Sequence, residues 1–311
     1  MGDIATRAAY GECLAEIGGN ENIIVLDADL SKSTMTVKFK EKYPERFVQC
    51  GIAEANMMSA AAGIASTGKT VFASTFAMFA AGRAWEQIRN SICYANLNVK
   101  IGATHAGISV GEDGATHQAI EDIAIMRAIP NMTVICPADA EETKQAVRWA
   151  AQYNGPVYLR LGRLGVPSVS PEGYKFEIGK GALLKDGNDI AIIATGLMVS
   201  KALDAAEELE KQGISARVIN MASIKPIDKD IIIKAARETK GIVTAEEHNV
   251  LGGLGSAVAE VVVQNYPCKM EMVGVEDKFG RSGKPEELLG IYGLTSEHIV
   301  EECKRLLNSE D

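Results

Sequence analysis

The sequence lacks features that define several common protein classes. Its six cysteines are scattered without a C-x-x-C pair, so neither a zinc site nor a disulfide framework is expected and a reducing cytosol fits best. No apolar stretch approaches the roughly 20 residues of a membrane span, and the first residues lack the apolar core of a signal peptide. A net charge of −9 offers no basic face to nucleic acid. We therefore expect a cytoplasmic protein that binds neither nucleic acid nor membranes.

The chain has the length and the pattern of a two-domain α/β protein. Its 311 residues are 47% hydrophobic, which is enough for two separate cores. In the first half, short apolar runs alternate with helical patterns such as 53–66 and 141–152. Alternation of this kind predicts βαβ units and a mainly parallel β-sheet flanked by helices. The predicted strands of this half are 23–26, 47–50, 71–74, 99–103, 133–136 and 157–161.

The alternation stops at one segment and then starts again. Residues 166–181 contain Pro167, Pro171, serines and glycines, and we interpret them as a linker. After the linker, the predicted strands are 190–194, 216–219 and 242–244, and the predicted helices are 199–212, 229–239 and one that begins at the glycines 252–255. The predicted domains are therefore residues 1–165 and 182–311, each built on a mainly parallel sheet.

A glycine-rich loop carries the residues that are best suited to chemistry. Residues 102–118 follow an apolar run and precede a helical pattern at 119–126, and they include His105 and His117 with Asp113 between them. Loops at the carboxyl ends of strands are where open α/β sheets bind ligands, and imidazoles exchange protons near neutral pH. The alternative is a surface loop with two solvated histidines.

Four segments of the sequence together resemble the thiamine-diphosphate enzyme transketolase. They are Gly-Ile-Ala-Glu-Ala-Asn-Met at 51–57, Ser-Thr-Phe-Ala-Met-Phe at 74–79, the loop 102–118, and Glu-Glu-His at 246–248 with Gly-Gly-Leu-Gly-Ser-Ala at 252–257. The resemblance runs nearly end to end but covers only the C-terminal half of a full-length transketolase. It implies a pyrimidine-binding domain followed by the transketolase C-terminal domain. Deoxyxylulose-phosphate synthase and the β subunit of 2-oxo-acid dehydrogenase E1 share part of the pattern, and Gly-Glu-Asp-Gly-x-Thr-His-Gln at 111–118 favours transketolase.

One motif of the family is missing from the sequence. Members hold thiamine diphosphate through Mg²⁺ bound by a Gly-Asp-Gly motif, and this chain contains none. The resemblance therefore implies a split enzyme, in which an N-terminal transketolase subunit with the Gly-Asp-Gly motif supplies the metal site and the diphosphate cradle. Two copies of each chain are expected, with active sites between unlike subunits and sugar phosphates as substrates.

The resemblance also implies roles for residues around the cofactor. Glu54 matches the glutamate that hydrogen-bonds to the aminopyrimidine ring, and burial at the start of an Ala/Met-rich helix would favour its protonated form. Phe76 and Phe79 match aromatic residues that stack around this ring, and three apart on a helix they would share one face. Asp29 and Leu30 match the segment that supports the cofactor near its thiazolium. From the residues alone, a first-turn helix glutamate, core aromatics and a helix cap remain alternatives.

A second set of residues is implied for the substrate. His105 and His117 match positions that take part in proton transfer at the reacting carbons, and Asp113 matches a contact to a donor hydroxyl. The groups that hold the sugar phosphate are matched by Arg7, Ser33, His105 and Arg163. Taken one at a time, the two arginines look like solvated surface charges.

The sequence therefore predicts the C-terminal subunit of a split transketolase. Such an enzyme transfers a two-carbon ketol unit from a ketose phosphate to an aldose phosphate through a thiamine-bound carbanion/enamine. A β-type subunit of a 2-oxo-acid dehydrogenase E1 or a deoxyxylulose-phosphate-synthase-like enzyme is one alternative, and a non-catalytic scaffold subunit of the same fold is another. The scaffold is disfavoured because Glu54 and both loop histidines are present.

Overall fold

The computed structural model describes residues 3–309 of the chain. Its first part alternates strands and helices, and two π-helical turns, Phe79–Arg83 and Ile88–Cys93, flank α5. In chain order the elements are β1 Ile4–Ala5, α1 Thr6–Ile17, β2 Ile23–Asp27, α2 Ser31–Thr34, α3 Val37–Lys42, β3 Phe47–Gln49, α4 Glu54–Ala65, β4 Thr70–Phe76, α5 Trp85–Gln87, β5 Val99–Thr104, α6 Asp122–Arg127, β6 Thr133–Ile135, α7 Ala140–Gln152, β7 Val157–Arg160 and β8 Gly165–Val166.

The second part of the chain repeats this alternation on a smaller scale. Its elements are β9 Ala182–Lys185, β10 Ile190–Ala194, α8 Met198–Lys211, β11 Ala216–Asn220, β12 Ser223–Lys225, α9 Lys229–Glu238, β13 Ile242–Asn249, α10 Leu254–Asn265, β14 Met270–Val275, α11 Pro285–Ile291 and α12 Ser296–Asn308. Within residues 3–309, none of the helices has both the length and the apolar character to cross a bilayer.

The first sheet has seven strands in the order β12-β6-β7-β5-β4-β2-β3. Neighbouring strands are parallel except β12 and β6, which are antiparallel. Helices pack on both faces, so every residue of β4 and β5 is buried. The carboxyl ends of the parallel strands lie along one edge, and this edge carries the candidate site.

The second sheet has five strands in the order β14-β13-β10-β11-β9, and only the edge strand β9 is antiparallel. Helices α8 and α12 pack on one face, while α9 and α10 pack on the other. Two mainly parallel sheets, each flanked by helices, confirm the predicted fold class.

The two sheets are linked more closely than a flexible connection would allow. Strand β12 belongs by sequence to the second region, yet it pairs with β6 of the first sheet. The predicted linker 166–181 is docked as well, because the Asp139 carboxylate accepts the backbone N–H groups of Val169 and Ser170 at 2.8 and 2.7 Å. The same carboxylate caps α7. The segment between the sheets is thus fixed to the first of them.

Local structure differs from the predictions at two points. Phe76, predicted on a helix with Phe79, is the last residue of β4, and Phe79 begins a π-helical turn. The β-branched and aromatic residues of β4 favour the strand up to that position. Helix α6 begins at Asp122 and not at residue 119, and the carbonyl of Ala119 accepts a hydrogen bond from Arg160 instead (3.2 Å). The last predicted element is the helix that begins at 252–255, so β14, α11 and α12, which follow it, were not predicted.

A buried ion pair joins the first sheet, the glycine-rich loop and the second domain. Arg160, at the end of β7, donates from Nε to the two oxygens of Asp122 at 3.1 and 3.0 Å, and the side chains are 5% and 1% exposed. The Tyr158 hydroxyl donates to the same carboxylate at 2.8 Å. Arg160 Nη2 donates to the carbonyls of Ala119 and Glu247, the latter at 2.8 Å. One guanidinium therefore connects β7, the segment before α6, and β13.

Removal of Asp122 should destabilise the protein strongly, because Arg160 would stay buried without its counter-charge. We expect Asp122→Ala to lower the free energy of unfolding by about 3 to 5 kcal/mol. The matched control is Glu260→Ala, which breaks the exposed pair with Arg127 (2.7 Å). It should cost about 1 kcal/mol or less. Urea unfolding followed by circular dichroism measures both variants, and equal losses would contradict the role given to the buried pair.

Candidate active site

The predicted site residues gather at the carboxyl edge of the first sheet. Strand β2 is followed by Asp29 and Leu30, β3 by Glu54 and β5 by His105, while β4 ends in Phe76 and β7 is followed by Arg163. Parallel strands bring residues that are distant in sequence to one edge, where open α/β sheets bind ligands. Arg7 on α1 reaches the same region, because its Nη1 donates to the Ser33 carbonyl at 2.6 Å.

Four rings form the centre of the site. The Phe76 ring stacks on the His105 ring with centroids 3.9 Å apart, and on the Phe79 ring with centroids 5.8 Å apart. His117 meets both phenylalanines edge-on, at 6.3 Å from Phe76 and 5.2 Å from Phe79. Such aromatic pairs contribute about 0.5 to 1.5 kcal/mol each beyond burial. The structure thus brings together the residues predicted for cofactor stacking and for proton transfer.

The predicted catalytic glutamate is buried and pairs with an arginine that sequence reasoning missed. Glu54 is 2% exposed, and Arg83 Nη1 donates to both of its carboxylate oxygens at 2.9 Å. The guanidinium carbon of Arg83 also lies 4.7 Å from the centroid of the Phe79 ring. The sequence offered one indication of this pair, an arginine seven residues after Phe76. A π-helical turn, which sequence periodicity does not reveal, carries that arginine.

His105 is held in its neutral form by its surroundings. The pKa of His105 is lowered to about 3. Burial is the main cause, and the charges of Arg7, Arg163 and His117 lower the pKa in the same direction. Its backbone lies in the left-handed region at φ 56°, and its Nδ1 is 3.0 Å from the Thr104 hydroxyl. A neutral imidazole offers both a donor and an acceptor nitrogen. His105 can therefore serve in either role throughout the physiological pH range.

The two predicted arginines form a cationic corner beside His105. Burial and the nearby charge of Arg163 lower the pKa of Arg7. Within the described residues the buried Nε of Arg7 has no hydrogen-bond partner. Arg163 pairs with Glu112 at 3.2 Å and donates to the Val110 carbonyl. Adjacent guanidinium groups with free N–H donors are suited to a phosphate or a similar anion.

Asp27, which sequence reasoning also missed, organises the segment that contains Asp29 and Leu30. Its buried carboxylate accepts the Leu30 N–H at 2.6 Å and the hydroxyls of Thr34 and Thr36 at 2.7 and 2.9 Å. Burial raises the pKa of Asp27. Asp29 is exposed at φ 65°, and helix α2 begins after Leu30 without a side-chain cap. The cap interpretation of Asp29 is therefore wrong.

The second domain holds the glycine-rich loop in place. The Glu247 carboxylate on β13 accepts the Ser109 N–H at 2.5 Å. Gly107 has φ 84°, and a Cβ at this position would lie 2.2 Å from Glu247 Cδ, so only glycine fits. Gln118 donates to the Arg281 carbonyl at 3.1 Å. The loop that carries both histidine candidates is thus fixed by the second domain near its middle and at its C-terminal end.

The other two residues of the Glu-Glu-His segment have structural contacts. Glu246 accepts the N–H groups of Leu254 and Gly255 at 2.7 and 2.8 Å, so its carboxylate caps the N-terminus of α10. His248 is fully buried, and its Nε2 accepts the Ala124 N–H at 3.4 Å. The Glu246 contacts join β13 to the glycine segment 252–255 within the second domain, and the His248 contact joins the second domain to α6.

One side of the site is open within the described part of the chain. Asp113 is exposed, His117 is half-buried with its Nδ1 2.9 Å from the Thr116 hydroxyl, and Gly82 is exposed. Among residues 3–309, no group of three or more His, Cys, Asp or Glu side chains is placed to hold a metal ion. The six cysteine thiols are free.

Fold and site together define a two-domain α/β protein with a buried glutamate and an aromatic cluster at the carboxyl edge of its larger sheet. Residues 2–168 match the family model "Transketolase, pyrimidine binding domain", and residues 179–299 match "Transketolase, C-terminal domain". The chain therefore belongs to the transketolase family.

Its relatives include proteins that are separate subunits. The chain is 55% identical over 307 residues to the "Putative transketolase C-terminal section" of Methanocaldococcus jannaschii, and the match covers 96% of each chain. It is 42% identical to the "6-deoxy-6-sulfo-D-fructose transketolase subunit SqwH" of Clostridium sp. strain MSTE9, with 94% of this chain and 92% of that protein covered. A solved structure, "Split gene transketolase, inactive beta4 tetramer", is 56% identical with a TM-score of 0.90, over 98% of this chain and 99% of that chain. The chain thus resembles separate subunits along nearly its whole length.

The Glu247 contact predicts a pH dependence of stability. Burial raises the pKa of Glu247 from 4.5 to about 7 in the folded protein, although Arg160 and the Ser109 N–H oppose this. A carboxyl group with a raised pKa contributes stability below its unfolded pKa, and this contribution is lost as the pH rises through about 7. Glu247→Gln does not ionise. At about 1.4 kcal/mol per pKa unit, the variant should gain about 2 to 3 kcal/mol relative to the natural protein between pH 5 and pH 8.

Urea unfolding at several pH values between 5 and 8 measures this difference. The exposed Glu207→Gln is the matched control and should leave the pH dependence unchanged. Parallel pH profiles for the natural protein and Glu247→Gln would show that Glu247 stays ionised in the folded state.

Proposed function

We propose that this chain is the C-terminal subunit of a split transketolase. With an N-terminal partner it would transfer a two-carbon ketol unit from a ketose phosphate to an aldose phosphate. The observation that carries the proposal is the position of Glu54, a buried carboxyl group beside the stacked rings of Phe76 and Phe79. Two imidazoles from the glycine-rich loop lie against the same rings.

The aminopyrimidine of thiamine diphosphate fits this setting. A flat heteroaromatic ring requires an aromatic face for stacking and an in-plane partner for its ring nitrogen, and Phe79 and Glu54 offer these two contacts. Asp29 and Leu30 lie at the neighbouring strand end. When bound, thiamine diphosphate supplies a thiazolium carbon that becomes a nucleophile on loss of its proton.

The residues of this chain would hold and move protons around that carbon. Glu54 in its protonated form would donate a hydrogen bond to the ring nitrogen N1′ of the aminopyrimidine and so hold a proton at that atom. His105, neutral at physiological pH, and His117 would accept and return protons at the substrate hydroxyls. Asp113, an exposed residue of the same glycine-rich loop, would contact a donor hydroxyl and read its configuration.

The cationic corner would bind the anionic end of the substrate. Arg7, Arg163 and His105 are close enough for each arginine charge to lower the pKa of His105. Ser33 gives its carbonyl to Arg7 and so orients the arginine. The relative from Clostridium is named for a sulfo-sugar, and both sulfonate and phosphate are tetrahedral anions that guanidinium groups recognise. We propose a sugar phosphate as the substrate, and a panel of phosphate and sulfonate ketoses would identify the preferred donor.

The partner subunit would supply what this sequence does not contain. Thiamine enzymes of the family hold Mg²⁺ and the diphosphate with a Gly-Asp-Gly motif, which the sequence lacks. Support comes from similarity to a protein named as a C-terminal section and to a split-gene enzyme whose β4 tetramer is inactive. We propose an assembly of two copies of each chain with active sites between unlike subunits.

Reconstitution with Glu54→Gln tests the proposed function. The natural chain alone should not turn over a ketose phosphate, whereas the chain with its partner, Mg²⁺ and thiamine diphosphate should do so. Glu54→Gln in the same complex should lower kcat by at least about 100-fold, because positioned proton transfer contributes this much or more. Steady-state kinetics and calorimetric cofactor binding are measured together, and cofactor affinity should fall less than kcat.

Two results would contradict this proposal. Micromolar binding of thiamine diphosphate by the isolated chain would remove the need for a partner. A Glu54→Gln complex that retains most of its activity at saturating cofactor would remove Glu54 from its proposed role.

Arg163→Ala tests the anion corner. Loss of one charge-assisted hydrogen bond should lower kcat/KM for a ketose phosphate by about 10- to 100-fold, mostly through KM, because the phosphate lies far from the reacting bond. Hydroxypyruvate, which has no phosphate, should be affected little. The matched control is Arg148→Ala, an arginine of similar exposure that pairs with Glu16. Equal losses on both donors would assign Arg163 a structural role.

A further inference from the structure

Arg83 makes both of the contacts that the proposed aminopyrimidine ring requires. Its Nη1 donates to the two oxygens of Glu54 at 2.9 Å. This carboxyl group is the proposed hydrogen-bond partner of the ring nitrogen. Its guanidinium carbon lies 4.7 Å from the Phe79 centroid, where the ring would stack. Guanidinium is planar, carries N–H donors at its edge and stacks on aromatic faces, so it can take the place of a flat nitrogen heterocycle between Phe79 and Glu54.

The two groups cannot occupy this place together. Both need the face of Phe79 and the same carboxyl oxygens, and within the described residues Arg83 is the hydrogen-bond partner of the Glu54 side chain. They also require opposite charge states of Glu54. A guanidinium group favours the carboxylate, whereas a hydrogen bond to a neutral ring nitrogen requires the protonated acid.

The position of Arg83 allows it to leave. The Glu54 side chain is 2% exposed, but the Arg83 side chain is 52% exposed, so the arginine reaches into the site from solvent. It ends the π-helical turn Phe79–Arg83 and follows the exposed Gly82. A long side chain on the rim of a site can move into water without unfolding its backbone.

We propose that Arg83 occupies the aminopyrimidine position in the unliganded subunit and is displaced when thiamine diphosphate binds. The inference rests on the proposed function. Before binding, Glu54 is a carboxylate paired with the Arg83 cation. After binding, Arg83 is solvated. Glu54 then carries one proton taken from solvent and donates it in a hydrogen bond to the ring nitrogen. No bond is oxidised or reduced. Arg83 is thus a positioning residue that keeps Glu54 ionised until the cofactor arrives.

Proton uptake on cofactor binding tests the inference. Calorimetric titration of the complete complex with thiamine diphosphate and Mg²⁺, in Pipes and in Tris at pH 7.5, gives the number of protons taken up from the difference in buffer ionisation heat. The natural complex should take up more protons than Arg83→Gln, by roughly half to one proton, because only the natural complex loses a cation that favours the Glu54 carboxylate. Protonation of the diphosphate is common to both and cancels in the difference.

Affinity gives a second readout. Arg83→Gln should bind the cofactor roughly two- to fivefold more tightly, which corresponds to the loss of a half-exposed competing ion pair. Arg83→Lys keeps the charge and should keep most of the proton uptake. Arg89→Gln, a neighbouring exposed arginine bonded to Asn90 and not to Glu54, is the matched control and should match the natural complex in both readouts.

The possible outcomes separate the two proposals. Greater proton uptake by the natural complex, with tighter binding by Arg83→Gln, supports the inference. Equal proton uptake, or weaker binding by Arg83→Gln while Arg89→Gln is unchanged, would overturn the inference and leave the proposed function standing. Absence of binding by the natural complex would overturn the proposed function and the inference with it.

Discussion

The arrangement of the site depends on the buried guanidinium of Arg160. Asp122 balances the charge of Arg160. Arg160 Nη2 donates to the carbonyls of Ala119 and Glu247. A charge in a low-dielectric interior is tolerated only when such partners are complete, so each of them is fixed within hydrogen-bond distance. Ala119 directly follows the glycine-rich loop 102–118, and its carbonyl accepts a hydrogen bond from Arg160. Fixing the far end of the loop to β7 and to the second domain therefore limits where His117 can lie.

The second domain supports the site through these contacts, although it carries none of the predicted catalytic residues. The Glu247 carboxylate holds the Ser109 N–H, and Gly107 lies so close to Glu247 that no larger residue fits. Catalytic geometry is most precise when a second layer of contacts fixes the residues that touch the ligand. Because burial raises the pKa of Glu247 to about 7, the same contact makes the support of the loop sensitive to pH in the physiological range.

The sequence was sufficient to predict the two sheets and most of the strand ends. The alternation of apolar runs and helical patterns is regular enough to predict the strands. Because the carboxyl ends of parallel strands lie along one edge of a sheet, the predicted strands place Glu54, Phe76 and His105 on that edge. Side-chain partners were not predictable in this way. Arg83 reaches Glu54 from a π-helical turn that no periodicity shows, and Arg160 pairs with Asp122 across 38 residues. The crossing of β12 into the first sheet depends equally on tertiary packing.

The arginines of the site share one property: each has a partner among the described residues. Arg83 is bound to Glu54, Arg163 to Glu112, and Arg7 to the Ser33 carbonyl. Free cations in a concave site would repel one another and lower the stability of the subunit. Internal partners remove much of that repulsion, but a ligand must then exchange hydrogen bonds and cannot simply add them. Binding energy at such a site comes from the difference between the two sets of contacts. Selectivity therefore favours ligands that replace several internal partners at once, as a molecule with both a flat ring system and a terminal anion would do.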